Sequence, residues 1–280
     1  MKNDGSAEDT IKGTGKRLRM LTRSVNLDDP ESVKEYVANK HCKNSYRQNL
    51  VEAYDHYVRY NGLTWQKPYY ERQSQPPYVP TTEEICLLIA GAGKRYSLIL
   101  SVLRDTGMRP IELERTTLRW VDLNRGIISV EMAKGGEGRS LELKPRTLAM
   151  LKEYISKHNF GLDDRLFSKR KTMVRKFIKI RRRIAEKLKR PELLRITLYS
   201  FRHYFGTMTY YRTKDILYTQ RQLGHRNIKN TLIYTHLVNF ASEEYVSKVA
   251  QTLEEICGLI EAGFEYIAQK DGLMYFRKRK

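Results

Sequence analysis

The run Leu198-Tyr199-Ser200-Phe201-Arg202-His203 is followed by Leu223-Gly224-His225 and then by Ile233-Tyr234-Thr235-His236. Upstream lies Thr106-Gly107-Met108-Arg109-Pro110-Ile111-Glu112-Leu113. Each piece alone is ordinary. An arginine can open a helix, a histidine after glycine can close one, and a tyrosine on an amphipathic stretch is commonly core. Together they supply two guanidiniums, an imidazole and a phenol. The planar donor fork of arginine matches the oxygens of a phosphate and stays charged. Glu112 stands one helical turn after Arg109 and can orient it through an ion pair. Arg109, Arg202, His225 and Tyr234 are therefore read as one phosphate-handling site.

Bulk composition supports an anionic partner. The chain has 280 residues, 40% hydrophobic and 30% charged, enough for one large domain or two smaller ones with a real core. Its net charge of +20 attracts a polyanion, and nucleic acid is the commonest one in a cell. An anionic membrane surface is the alternative reading of charge alone. No apolar run approaches the roughly 20 residues that span a bilayer. The polar, basic start from Met1 to Arg23 lacks an apolar signal core, so a cytoplasmic, nucleoid-associated protein is expected. Cys42, Cys86 and Cys257 fit neither a zinc pattern nor a disulfide framework. Their apolar neighbours predict buried thiols in a reducing compartment. No histidine sits in a carboxylate-rich ligand cluster, so no metal or cofactor is expected.

Along the chain, residues 1–24 read as a flexible basic arm containing Gly5, Gly13 and Gly15. A helical domain follows over 25–66. Its first helix starts near Asp29-Pro30-Glu31 with Val33, Tyr36 and Val37 on one face. The second runs from about Asn44 to Asn61 on a stripe of Tyr46, Leu50, Ala53, Tyr54 and Tyr57. Residues 67–80 hold Pro68, Pro76, Pro77 and Pro80 and read as a linker. A larger, mostly helical domain spans 81–240 and opens on the capping-box pair Thr81 and Glu84. One β-hairpin interrupts it, Gly126 to Met132 and Arg139 to Leu143 flanking the glycine-rich turn Lys134-Gly135-Gly136-Glu137-Gly138. The basic segment Arg165 to Arg190 keeps Met173, Phe177, Ile180 and Ile184 at helical spacing, predicting a helix with its basic face toward phosphates. Residues 241–280 are predicted as a helix over 241–269, striped by Tyr245, Val249, Leu253, Ile256 and Ile260, and a basic tail.

The order and spacing of these pieces resemble the tyrosine recombinase (integrase) family. Thr-Gly-x-Arg-x-x-Glu-Leu, Lys-Gly in a hairpin, Arg-His-x-Phe-x-Thr, Leu-Gly-His and Tyr-Thr-His all occur in the family's order over roughly residues 81–240. The resemblance implies a mainly α fold with a small β-hairpin or sheet. Two domains would form a C-clamp, a helical N-terminal DNA-binding domain and a catalytic domain closing on a duplex. It implies a metal- and ATP-independent DNA strand transesterification. Tyr234 would attack a phosphodiester to give a 3′-phosphotyrosine and free a 5′-hydroxyl. Arg109 and Arg202 would hold the non-bridging oxygens, His225 would donate to one of them, and Lys134 would protonate the leaving 5′-oxygen. The partner would be double-stranded DNA with paired recombination sites, bound by a homotetramer in which the C-terminal helix reaches a neighbour.

The chain departs from the family pattern at one place. The family usually has His or Lys three residues before the second arginine, and here Tyr199 stands there. Its phenol can donate a hydrogen bond but is a poorer proton shuttle near neutral pH. Tyr199 substitutes for the usual donor, activity is reduced, or His203 contributes; the residues leave these three open. His203 and His236 are otherwise read as structural. An integrase of a mobile element or a chromosome-resolution enzyme fits the constellation. Type IB topoisomerase-like activity and a DNA-binding relative without catalysis are the alternatives.

Overall fold

The structure is a computed structural model describing residues 5–72, 76–130, 138–237, 245–270 and 272–279. The chain divides into two compact units, residues 1–76 and 77–280.

The first unit is helical: α1 (Glu8–Leu21), α2 (Pro30–Asn39) and α3 (Asn44–Tyr60). Pro30 occupies the start of α2, where its missing N–H is no loss, and the Asp29 carboxylate accepts from the Glu31 and Ser32 amides. Leu21, Val33, Val37, Leu50, Val51, Tyr54 and Val58 form the core. The Tyr54 hydroxyl donates to the Leu27 carbonyl at 2.7 Å, and Trp65 packs edge-on against its ring at 4.8 Å. The expected arm over 1–24 is corrected here, because α1 occupies most of it. Gly13 and Gly15 suggested a breaker, each costing a helix about 1 kcal/mol relative to alanine. Docking offsets that cost: α1 lies against α3, with Leu21 fully buried and Leu18 half-buried.

The second unit opens with α4 (Thr82–Gly91), α5 (Lys94–Thr106) and the short α6 (Pro110–Arg115). The predicted capping box is present: Glu84 N–H donates to Thr81 Oγ1 at 3.1 Å, and Thr81 N–H to Glu84 Oε2 at 2.7 Å. Strands β1 (Val121–Asp122), β2 (Ile127–Val130) and β3 (Arg139–Glu142) form an antiparallel sheet in that order, with Ile128 opposite Leu141. Residues 131–137, and Lys134 with them, lie outside the described residues. Next come α7 (Pro145–Ser156), α8 (Arg170–Leu188), α9 (Leu198–Thr213), α10 (Ile216–Leu223) and α11 (Lys229–Leu237). Helix α5 runs through the core, with Leu98, Ile99, Leu100, Val102 and Leu103 all buried. Helix α8 sets Met173, Phe177 and Ile184 inward, Phe177 meeting Phe201 of α9 edge-on at 6.2 Å. Arg175, Lys176, Lys179, Arg182 and Arg183 stand exposed on its other side.

Two further expectations are corrected. The helix predicted over 241–269 is instead β4 (Tyr245–Ala250), α12 (Leu253–Glu261) and β5 (Glu265–Lys270), with β6 (Leu273–Arg279) following. They form an antiparallel sheet in the order β4-β6-β5. The apolar stripe at four-residue spacing looked continuous, but Thr252 starts a new helix by capping Glu255 N–H. Backbone pairing of Tyr245–Ala250 with Met274–Arg279, remote in sequence, overrides the local periodicity. Buried thiols are not found either: Cys86 and Cys257 are exposed and Cys42 is half-buried. On α4, Ile85 and Leu88 turn inward, which leaves Cys86 on the outer face.

Candidate active site

Arg202 organises the site. It lies on α9 and is only 4% exposed. One end of its guanidinium donates to the Gly107 carbonyl at 2.8 Å, and the other to the Leu223 carbonyl at 2.6 Å. The first bond fixes the turn leading into Arg109, and the second fixes the end of α10 just before His225. Arg202 thus positions two other candidate residues while keeping donors for a ligand. The turn at Gly107 requires glycine: its φ is +60°, and a Cβ there would clash with the Phe205 ring of α9.

Arg109 is aimed by Glu112, as the spacing predicts. The carboxylate accepts from Arg109 Nη1 at 2.7 Å and from the Arg109 amide at 2.8 Å. Sequence reading missed a third member. Arg139, on β3, donates to Glu112 Oε2 at 2.9 Å and to the Gln222 carbonyl at 2.8 Å. It ties β3 to both arms of the site. A lone basic residue after a glycine-rich run of sequence gave no signal of this role. Burial would raise the Glu112 pKa, but Arg139 and then Arg109 overrule it and hold the carboxyl below the usual range.

His225 follows α10. Its Nδ1 lies 3.0 Å from the hydroxyl of buried Thr231, and its carbonyl accepts from Gln220 at 2.8 Å. When Thr231 donates, the imidazole keeps its proton on Nε2 and can donate from there. Burial first, and then Arg202, Arg109 and Arg139, push its pKa down to about 3. The free site therefore holds a neutral histidine among cations, an environment that favours an anion.

Tyr234 of α11 is 1% exposed and lies across α9. Gly206 makes the close approach possible, since a Cβ there would come within 2.6 Å of the Tyr234 ring. The Tyr234 hydroxyl lies 3.3 Å from His203 Nδ1, with the ring centroids 6.1 Å apart. Burial raises its pKa to about 12, against the pull of Arg202 and Arg109. Arg109, Arg202, His225 and Tyr234 are thus brought together. Tyr199, on the first turn of α9, is 46% exposed, and no hydrogen bond to its hydroxyl is found among the described residues. Lys134 and the His236 side chain lie outside the described residues. Among those residues, no group of three or more His, Cys, Asp or Glu side chains could hold a metal ion.

An arginine-rich anion site with a buried tyrosine on a mostly helical scaffold has known relatives. Residues 81–239 match the phage integrase family. Tyrosine recombinase XerA of Saccharolobus solfataricus is 35% identical over 142 residues, 50% of this chain and 45% of that protein. XerA of Pyrococcus furiosus is 28% identical over 219 residues, 75% of each chain. A solved XerA recombinase structure superposes with a TM-score of 0.51 at 25% identity, covering 86% of this chain and 91% of that one. The Tn1549 transposon integrase in complex with transposon right end DNA gives a TM-score of 0.64 at 17% identity over 92% of this chain and 94% of that one, a likeness of fold. The chain belongs to the phage integrase family and is a tyrosine recombinase, the class of enzyme that carries out site-specific recombination.

Proposed function

We propose that this chain cleaves and rejoins double-stranded DNA at paired recombination sites through a 3′-phosphotyrosine intermediate. The observation carrying the reading is the convergence of Arg202, Arg109 and His225 on the surroundings of Tyr234. A phosphodiester repels nucleophiles because it is anionic. The guanidiniums of Arg109 and Arg202 neutralise the charge that grows on the non-bridging oxygens, and the His225 imidazole adds a donor there. Such preorganised donors are worth about 10² to 10³ in rate each. Tyr234 Oη attacks phosphorus, the bond to the 5′-oxygen breaks, and Lys134 supplies the proton the 5′-oxygen needs. The aryl phosphodiester conserves the bond, so a 5′-hydroxyl from another strand reverses the step without ATP.

Four protomers on two paired sites, each with its two units closing on the duplex, complete the reading. It places the protein with the nucleoid in the cytoplasm. A relative that only binds DNA is disfavoured, because both arginines, the histidine and the tyrosine are retained and assembled. A topoisomerase-like activity shares the chemistry and differs in not requiring paired sites.

The test is trapping on nicked suicide duplexes without metal or ATP, followed by a denaturing gel. The expected result is a covalent protein–DNA band that Tyr234→Phe abolishes while DNA affinity stays within a few-fold. A band of equal strength in Tyr234→Phe removes Tyr234 from its role.

A further inference from the structure

We infer that His203 is the general base for Tyr234: its Nδ1, facing the nucleophile's hydroxyl at 3.3 Å across the α9–α11 contact, takes the phenolic proton as Oη attacks phosphorus. The inference rests on the transesterification proposed above and names the destination of its first proton.

Four observations carry it. His203 is the only side chain among the described residues found within hydrogen-bond distance of the Tyr234 hydroxyl. Gly206 lies one turn further along α9 and leaves room for the phenol beside that helix. Tyr199, at the place where a proton acceptor would otherwise be sought, is 46% exposed and holds no bond to the nucleophile. His225 is occupied at Nδ1 by Thr231, so it is poorly placed to accept a second proton. The groups facing His203 are Arg202 on its own helix, His225 ahead of α11 and Tyr234 on α11. Burial, and then Arg202, lower the His203 pKa, so the ring is neutral and able to accept at neutral pH.

The proton balance closes. In cleavage, the O–H bond of Tyr234 breaks, the Oη–P bond forms, the P–O5′ bond breaks, and His203 becomes an imidazolium. The 5′-oxygen takes a proton from the leaving-group acid. In rejoining, a 5′-hydroxyl attacks, the phenolate leaves, and the His203 proton returns to it. The imidazolium is short-lived beside Arg202, which favours its return of the proton. A phenol whose pKa lies near 12 has little phenolate at pH 7, so a base in contact with it matters.

The experiment compares wild type, His203→Asn and His203→Ala in single-turnover trapping on the nicked duplex at pH 7 and pH 9. Asparagine sets its amide oxygen near the position of Nδ1, so it can hold the phenol in place without taking its proton. General-base catalysis typically contributes about 10² to 10⁴ in rate. His203→Asn should therefore be as slow as His203→Ala at pH 7, by about 10²-fold or more, and should recover at least about tenfold relative to wild type at pH 9. Both variants should keep wild-type DNA affinity. Trapping by His203→Asn within about threefold of wild type at pH 7 overturns the inference and leaves His203 a positioning group. So does a defect equal at both pH values.

A substrate with sulfur at the 5′-bridging position separates base from acid, because a thiolate leaves without protonation. His203→Asn should stay slow on it, and full rescue would assign His203 to the leaving group instead. If wild type gives no Tyr234-dependent adduct, the proposed function itself fails; if the adduct forms and His203→Asn traps normally, only this inference does.

Discussion

The histidines of the site are held neutral by their surroundings, which makes stability and ligand binding pH-dependent in a defined direction. His225 is pushed down to about 3 from an ordinary value of 6.5, by burial and then by Arg202, Arg109 and Arg139. His203 is lowered by burial and then by Arg202. A group whose folded pKa is depressed contributes stability that is fully present above its unfolded pKa. That contribution is lost as pH falls through the interval toward the folded value. For His225 the window opens at pH 6.5 and extends down toward 3. Thermal unfolding of the free protein should therefore show Tm falling as pH drops from 6.5 to 5, with a gentler fall in His225→Gln, which has no proton to gain. Parallel Tm profiles for the two proteins would mean that His225 is not buried neutral as described. A bound phosphate reverses the balance of charge around the ring, so its pKa should rise when DNA enters.

At the scale of elements, the site depends on Glu112 joining α6 to β3. The carboxylate is buried and pairs with Arg109 and Arg139 at once. Removing one partner of a buried ionic group leaves its mates uncompensated, at a cost of roughly 3 kcal/mol or more. Glu112→Gln should lower Tm by about 6–12 °C, taking 2–4 °C per kcal/mol for a unit of this size. It should also slow trapping, since Arg109 loses its orientation. A Tm within about 2 °C of wild type would show that the network relaxes around the amide. Local signals made much of this architecture legible. Helix α2 opens at Pro30 and Thr81 caps α4 where the sequence places them, and the stripe of α8 faces inward. The motif order brought Arg109, Arg202, His225 and Tyr234 to one place. What escaped was non-local. Arg139 reaches Glu112 from a strand. The β4–β6 pairing overrode a helix-like stripe. Docking on α3 ordered α1 despite its glycines. His203 reads as the neighbour of an arginine until α11 sets Tyr234 beside it.

At the scale of the whole molecule, charge is divided unevenly between the two units. Residues 1–76 hold 13 Lys and Arg against 10 Asp and Glu, whereas the rest of the chain holds 39 against 22. The excess of +20 thus lies mostly in the unit that carries the site and the exposed basic face of α8. Salt dependence of DNA binding counts the phosphates that cations neutralise, because each contact releases condensed counterions. The slope of log K against log salt should therefore belong mainly to residues 77–280. That unit has its own core, built on α5 and sharing no residue with the core of the first unit. Expressed alone, it should keep more than half of the full chain's slope on nonspecific duplex DNA. The first unit, with its nearly balanced charge, would add affinity through fitted contacts rather than through net attraction. Fluorescence anisotropy at a series of salt concentrations decides between these. A slope for residues 77–280 that falls below half of the full-chain value would move the main phosphate contacts to the helices of the first unit.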